Sequence, residues 1–127
     1  MQKILIGGNF KNNSLPYSPC LRVGDFLFIA GQGPINSETD EVIGKTIEEQ
    51  TEYTLSNIKK LIESADAKVS DIVKVNAYLT NAENFDKFNK VYEAFFSSPF
   101  PVRTTVIVGL LDILVEIDAI AYCSKEI

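Results

Sequence analysis

The chain contains no histidine and no tryptophan, and it has only two cysteines in 127 residues. Without histidine it lacks the commonest general base and metal ligand, as well as the partner of Ser–His and Cys–His nucleophile pairs. Cys20 and Cys123 are far apart and form no CxxC motif, so we expect two reduced thiols. These absences exclude the enzymes that depend on such groups and predict a protein that uses no metal and no other cofactor.

Positive charge is also scarce. Twelve Lys and Arg against 17 Asp and Glu give a formal net charge of −5. A protein that binds nucleic acid through a broad phosphate-binding surface needs the opposite balance, so nucleic acid is disfavoured as a partner. The apolar run at the N-terminus, within residues 1–8, is too short for a signal peptide or a membrane span. We therefore expect a cytoplasmic protein with no membrane partner.

The apolar and charged fractions, 46% and 23%, are ordinary for a globular protein, and residues 1–127 are expected to form a single domain. Hydrophobic periodicity and turn signals predict the element order β-β-β-α-β-α-β-β. Thr46 and Glu49 have the spacing of a capping box at the start of the first helix. The predicted strands are 1–8, 20–23, 26–30, 72–79, 101–108 and 114–121, and the predicted helices are 46–65 and 84–96.

This order predicts an α+β fold in which both helices cover one face of a six-stranded mixed sheet. The last two predicted strands are apolar at most positions, beyond simple alternation. A sheet that is apolar on both faces must be covered on both. Since two helices cover only one face, the second face is expected to be buried against other copies of the chain.

The last quarter of the sequence contains two charges in otherwise apolar, β-branched runs. We expect 101–108 and 114–121 to face each other across a turn, with Arg103 opening the first and Glu116 within the second. A guanidinium binds a carboxylate bidentately, and a carboxylate close to it can orient a water, which suggests a site for a small anionic substrate. Alternatively, Arg103 is an edge-strand charge that discourages aggregation, and Glu116 is a solvent-facing residue. The pattern by itself leaves both interpretations open.

Five segments, taken in order, resemble the Rid/YjgF family, the reactive intermediate deaminases, which are also called L-PSP endoribonucleases or translation inhibitors. The resemblance extends over nearly the whole chain. It implies a chorismate-mutase-like (YjgF-type) fold and a homotrimer whose sheets pack inward. The segments are PYS at 16–18, FIAGQ at 28–32, NKVYEAFF at 89–96, PVRTTV at 101–106 and VEIDAIA at 115–121.

The resemblance also implies an activity and its principal residues. Members of the deaminase branch hydrolyse 2-imino acids such as 2-iminobutanoate and 2-iminopropanoate, which pyridoxal-phosphate dehydratases produce, to 2-oxo acids and ammonia. By this resemblance, Arg103 grips the substrate carboxylate. Thr105 contributes backbone contacts near the imine, and Glu116 orients the attacking water.

Three further positions match substrate-binding residues of the family. Tyr17 corresponds to a tyrosine that lines the cleft, and Gly31 to a glycine that offers its backbone. Asn89 corresponds to an asparagine of the second helix that supports the site. The resemblance places the clefts between subunits, so each site would draw on two chains.

The resemblance leaves two other functions open. One is an endoribonuclease that acts on single-stranded RNA, as the older family label says, and the other is a non-catalytic trimer that binds small carboxylates. Two local departures concern the cleft. Ala30 stands where the family often has a serine hydroxyl, and Leu111-Asp112 stands where the final turn usually has Leu-Pro.

Overall fold

The computed structural model describes residues 2–7 and 15–124 of the chain. It contains six strands and two α-helices in the predicted order, with two short 3-10 turns at Val69–Asp71 and Ala82–Asn84. The helices are α1 (Ile47–Glu63) and α2 (Phe85–Phe95). The strands are β1 (Lys3–Ile6), β2 (Cys20–Val23), β3 (Phe26–Gln32), β4 (Ile72–Leu79), β5 (Val102–Ile107) and β6 (Val115–Tyr122).

The start of α1 is fixed by the predicted capping box. The backbone N–H of Glu49 donates to Thr46 Oγ1 at 3.1 Å, and the backbone N–H of Thr46 donates to Glu49 Oε1 at 3.2 Å. These two bonds satisfy donors that the first helical turn leaves without partners. The apolar stripe of α1, including Leu55, Ile58 and Ile62, is buried against the sheet and α2. The prediction for this helix is therefore confirmed, with an end two residues earlier than expected.

The strands form one mixed sheet in the order β1-β2-β3-β6-β4-β5. All neighbouring pairs are antiparallel except β4 and β5, which run parallel. Parallel strands need a long crossover connection, and α2 supplies it between β4 and β5. The chain then returns across the end of β4, where Val108 N donates to Leu79 O at 2.9 Å and Thr80 N donates to Leu114 O at 3.2 Å.

The expectation that the last two strands face each other across a turn is wrong. β6 lies between β3 and β4, and β5 lies on the far side of β4 at the edge of the sheet. The physical reason is that the residues of β6 on one face, from Val115 to Ala121, are almost fully buried, which suits an inner strand. Val102 and Ile107 of β5 are more than half exposed, which suits an edge.

Both helices cover the same face of the sheet, as predicted. On this face the facing pairs Val75–Ala119 and Ala77–Ile117 are at most 3% exposed, and they pack with α1 and α2 in a single core. We call this the helix face. The opposite face, which we call the open face, has no covering element among the described residues. Because side chains alternate along a strand, it is formed by the residues between those of the helix face.

The open face carries an aromatic patch near one end. Phe26, Phe28 and Tyr122 are each more than 40% exposed, and their rings contact one another with centroid distances of 5.2 Å and 6.1 Å. A cluster of large apolar side chains at this level of exposure indicates an interaction surface. The fold thus leaves unburied the face that the sequence pattern expects to be covered.

Candidate functional site

Arg103 points to the helix face at the edge of the sheet. Its Cα partner on β4 is Val75, which is fully buried. The guanidinium carbon lies 4.6 Å from the ring centroid of Tyr92, 5.4 Å from that of Phe88 and 5.8 Å from that of Phe85, all on α2. Aromatic rings attract a guanidinium through their negative faces. The strand and the helix together therefore hold Arg103 in one place.

No carboxylate of the described residues balances the charge of Arg103. No hydrogen bond or ion pair joins its guanidinium to any residue of the described ranges, and the side chain is half-buried. Burial raises the pKa of Tyr92 to about 12, so the adjacent phenol is neutral and supplies no counter-charge. A half-buried guanidinium with free donors is suited to bind an anion with two oxygens.

Thr105 shares β5 with Arg103, and Asn89 lies on the helix that packs against Arg103. Thr105 is two residues along β5 on the same face, opposite Ala77, and its hydroxyl oxygen is buried without a partner in the described part of the chain. Asn89 is half-buried on α2, four residues after Phe85 and three before Tyr92, so it shares the helix side that faces Arg103. These three predicted site residues therefore share the helix face of the sheet or the helix that covers it.

Glu116 belongs to the open face. It is half-buried on β6 with Tyr78 as its Cα partner on β4. On the other side is the bulge of β3 between Ile29 and Gln32, which contains Gly31. A Cβ atom built on Gly31 would overlap the Glu116 Oε2 atom and would lie 2.9 Å from its Cδ. The missing side chain of Gly31 thus leaves the space in which this carboxylate lies.

The Glu116 carboxylate has no hydrogen bond or ion pair with residues 2–7 or 15–124. Burial raises the pKa of Glu116 above its usual value, and the negative charge of Asp118, two residues along the same face, raises it further. A carboxylate with a raised pKa and free oxygens can hold a water and accept a proton from it.

Tyr17 lies in the segment that precedes β2. The segment that carries it leads to Pro19, whose carbonyl accepts a hydrogen bond from Ala30 N at 2.9 Å. The Tyr17 side chain is 63% exposed. It is therefore available to line a cleft that a second surface would complete.

The predicted site residues thus form two groups rather than one. Arg103, Thr105 and Asn89 form an arginine group on the helix face, and Glu116 with Gly31 forms a carboxylate group on the open face, while the exposed Tyr17 lies in the segment before β2. β4 separates Arg103 from Glu116, and their Cα partners on β4 are Val75 and Tyr78. From strand spacings, the two Cα atoms are roughly 14 Å apart. A single chain does not bring the two charges together, so Arg103 and Glu116 of one copy do not form an ion pair.

Two parts of the site were missed by reasoning from the sequence. One is Tyr92, whose ring lies closest to Arg103, and its position three residues after Asn89 on α2 was the available signal. The other is Asp118, which accepts hydrogen bonds at 2.9 Å from both Asn76 Nδ2 and the Tyr78 hydroxyl. Asn76 and Tyr78 are two residues apart on β4, which is the spacing of side chains on one sheet face, and Asp118 is the Cα partner of Asn76 on β6.

No three His, Cys, Asp or Glu side chains lie together as potential metal ligands within the described ranges. In the same part of the chain, neither helix has the length and apolar character needed to cross a bilayer. Independence from metals and cofactors stays a prediction, and it is tested below.

Comparisons with known proteins agree on one family. The family model described as Endoribonuclease L-PSP matches residues 11–123. A RutC family protein of Pyrococcus horikoshii is 40% identical over 124 residues, which cover 96% of this chain and 98% of that protein. A Dermatophagoides farinae protein named 2-iminobutanoate/2-iminopropanoate deaminase is 38% identical, with coverages of 83% and 84%. The crystal structure of E. coli TdcF with bound serine has a TM-score of 0.85 and 30% identity, with coverages of 95% and 99%.

Proposed function

The chain belongs to the Endoribonuclease L-PSP family, the Rid/YjgF family that its motifs resemble, and from this premise we propose that it is a cofactor-independent deaminase. Its substrates are 2-imino acids such as 2-iminobutanoate and 2-iminopropanoate, which it hydrolyses to 2-oxo acids and ammonia. The Dermatophagoides farinae relative that is named after this activity is 38% identical over 107 residues. The cytoplasm is the predicted location.

The observation that carries the proposal is the guanidinium of Arg103, which has no hydrogen-bond or ion-pair partner in the described part of the chain. The substrates share a carboxylate next to the reacting carbon, and a rigid fork of donors fixes such a group in one orientation. The three aromatic rings around Arg103 hold the fork before substrate arrives. That a relative of the same fold was crystallised with bound serine, another small carboxylate, supports this assignment.

β5 provides a second set of donors next to Arg103. It pairs with β4 on one side only, so the backbone groups along its outer edge have no strand partner among residues 2–7 and 15–124. We assign the backbone of Thr105 to contacts near the imine nitrogen, and Asn89 to support of the same pocket. None of these residues is assigned to hold the attacking water, so that role falls to Glu116 of the carboxylate group.

A second copy of the chain is needed to bring that residue to the substrate. In the proposed homotrimer, the open face of one subunit meets the β5 edge of the next, so that Glu116, Gly31 and Tyr17 of one copy face Arg103 of its neighbour. The exposed aromatic patch of the open face and the half-exposed side chains of β5 support this packing, because both are buried by it. Three chains of 14.1 kDa give a particle of about 42 kDa, which light scattering measures directly.

The chemistry asks little of the protein, because an imine already hydrolyses in water. Arg103 fixes the carboxylate, and Glu116 holds one water against the C2 carbon. The water oxygen bonds to C2 while one of its protons passes to the Glu116 carboxylate. Glu116 passes that proton to the nitrogen, which gives a carbinolamine with a hydroxyl and an amino group on C2. Glu116 then takes the hydroxyl proton and passes it to the amino group while the C–N bond breaks, so that ammonia leaves and the C2 carbonyl of the 2-oxo acid forms. Positioning the two reactants in this way is a sufficient source of rate enhancement.

The direct test generates 2-iminobutanoate from threonine with a pyridoxal-phosphate dehydratase and measures formation of 2-oxobutanoate with and without this protein. We expect acceleration that persists after EDTA treatment and without added pyridoxal phosphate. If the wild-type protein binds 2-oxobutanoate but leaves the rate unchanged, it is a carboxylate-binding trimer. Cleavage of single-stranded RNA without deaminase activity would establish the ribonuclease instead, although the net charge of −5 and the absence of histidine disfavour it.

A further inference from the structure

The open face contains a polar cluster next to Glu116, formed by Asp118, Asn76 and Tyr78. Asp118 lies two residues after Glu116 on β6, and both side chains point to this face. Asn76, its Cα partner on β4, donates to Asp118 Oδ1 at 2.9 Å, and the Tyr78 hydroxyl donates to Oδ2 at 2.9 Å. Each carboxylate oxygen is thus held by one donor, and the Asp118 side chain has a fixed position.

Tyr78 connects this cluster to Glu116. Its Cα partner is Glu116, yet its hydroxyl reaches diagonally to Asp118. The phenol is therefore bonded to the Asp118 carboxylate, and no hydrogen bond joins it to Glu116. The hydrogen bond to Asp118 is the largest cause that raises the pKa of Tyr78, so the phenol stays protonated as a donor. This arrangement keeps the negative charge of Asp118 in place and leaves the Glu116 oxygens open.

We propose that Asp118 is a positioning residue for the reaction at Glu116. Its carboxylate, held by Asn76 and Tyr78, is a fixed negative charge that makes Glu116 a better acceptor for the proton of the attacking water. This inference rests on the proposed function, because it assigns a role to Asp118 in that reaction. Like charges on neighbouring carboxylates favour the protonated form of the more open one, and here the open one is Glu116.

The other groups around Glu116 do not supply this effect. β3 presents only its bulge, Ala30 and Gly31, which has no ionisable side chain. On β4, Lys74 faces the same side but lies opposite Ile120, four positions away from Tyr78. Arg103 of the same chain points to the helix face, and in the proposed trimer the Arg103 of the neighbouring subunit acts in the opposite direction, because a positive charge favours the ionised carboxylate. Among the residues that the structure describes, Asp118 is therefore the charge best placed to act on Glu116, and burial acts in the same direction.

The test titrates the Glu116 carboxyl carbon by NMR in the assembled protein, with Glu116→Gln to assign the signal. We expect Asp118→Asn to lower the titration midpoint, because it removes the charge and keeps the shape. Tyr78→Phe retains the charge and the Asn76 bond, so it should move the midpoint less. The control Glu52→Gln, an exposed carboxylate on α1, should leave the midpoint unchanged. Circular dichroism establishes that each variant is folded.

The same variants are assayed for deamination across pH. At the pH where the wild-type rate has fallen to half its plateau, Asp118→Asn should be near its own plateau, which we expect to be roughly two- to tenfold lower. An unchanged Glu116 midpoint in Asp118→Asn overturns the inference, as does an equal shift in Tyr78→Phe. If the wild-type protein shows no deaminase activity, the proposed function fails, and the titration still decides whether Asp118 acts on Glu116.

Discussion

Gly31 and Glu116 lie in contact across β3 and β6, and the carboxylate of Glu116 fills the space that a side chain at position 31 would take. A Cβ atom on Gly31 would lie 2.9 Å from Glu116 Cδ and closer still to Oε2. Real Cβ contacts are not this short, so the smallest substitution at position 31 must move the carboxylate. The glycine therefore controls where the proposed water-holding group lies.

Gly31→Ala should lower the turnover number while leaving the fold intact, because it displaces the Glu116 carboxylate without removing it. We expect a loss of about ten- to a hundredfold, since small misplacements of reacting groups are costly. Gly109→Ala is the matched control, because a Cβ there has no neighbour within 4 Å among the described atoms. Equal activity of the two variants in the deaminase assay would show that the position of Glu116 is unimportant.

Tyr92 should matter through its ring and not through its hydroxyl. The ring lies 4.6 Å from the Arg103 guanidinium, whereas the hydroxyl is buried with no hydrogen-bond partner in the described part of the chain. Tyr92→Phe should keep activity and leave the melting temperature unchanged or higher, because it removes an unsatisfied polar group. Tyr92→Leu should raise KM by roughly two- to thirtyfold through the lost cation–π contact. A large activity loss in Tyr92→Phe would instead assign a direct role to the hydroxyl.

The local parts of this fold could be predicted from sequence because their signals are local. The capping box at Thr46 and Glu49, and the Gly24-Asp25 turn between β2 and β3, each depend on residues a few positions apart. The pairing of β5 and β6 could not be predicted in this way. The short connection suggested a hairpin, but the crossover through α2 takes β5 outside β4 and leaves the inner position to β6.

The candidate site shows the same limit. The motifs identified Arg103 and Glu116. Because side chains alternate between the two faces of a sheet, the sequence also indicates which residues of one strand share a face. Only the register of β4 against both neighbours reveals that these two side chains lie on opposite faces. The contacts between Asn76, Tyr78 and Asp118 likewise join residues about 40 positions apart, and no spacing in the sequence indicates them.

Glu116→Gln should stabilise the protein near neutral pH while it lowers activity. Because the pKa of Glu116 is raised in the folded state, ionising it costs stability as the pH rises through the window between its unfolded and folded pKa values. Glutamine removes that cost. The gain in melting temperature should be present at pH 7. It should be absent at a pH below the usual carboxyl pKa of about 4.3, where the glutamate of the wild type and the glutamine of the variant are both uncharged. A destabilised variant at pH 7 would show that a positive charge, of which Arg103 of the neighbouring subunit is the candidate, stabilises the ionised carboxylate more than burial and Asp118 destabilise it.

Arg103→Lys should lose most of the activity although it keeps the charge. A lysine lacks the planar fork, and losing one charge-assisted bond to the substrate carboxylate costs roughly 1.5–3 kcal/mol, or about ten- to a hundredfold in kcat/KM. Arg103→Ala should lose more, and neither change should alter the oligomer mass. If Arg103→Ala hydrolyses 2-iminobutanoate as fast as the wild type, Arg103 is a structural edge charge and the proposed site is wrong.

The central claim is that Arg103 of one subunit and Glu116 of the next act on the same substrate. It is tested most directly by unfolding equal amounts of Arg103→Ala and Glu116→Gln chains together, refolding them, and measuring imine hydrolysis. Random assembly of a ring of three leaves both native residues in roughly a quarter of the intersubunit sites, so the mixture should recover about a quarter of wild-type activity. If each site used the arginine and the glutamate of one chain, no site in the mixture would hold both. A mixture no more active than the separate variants would then contradict the shared site.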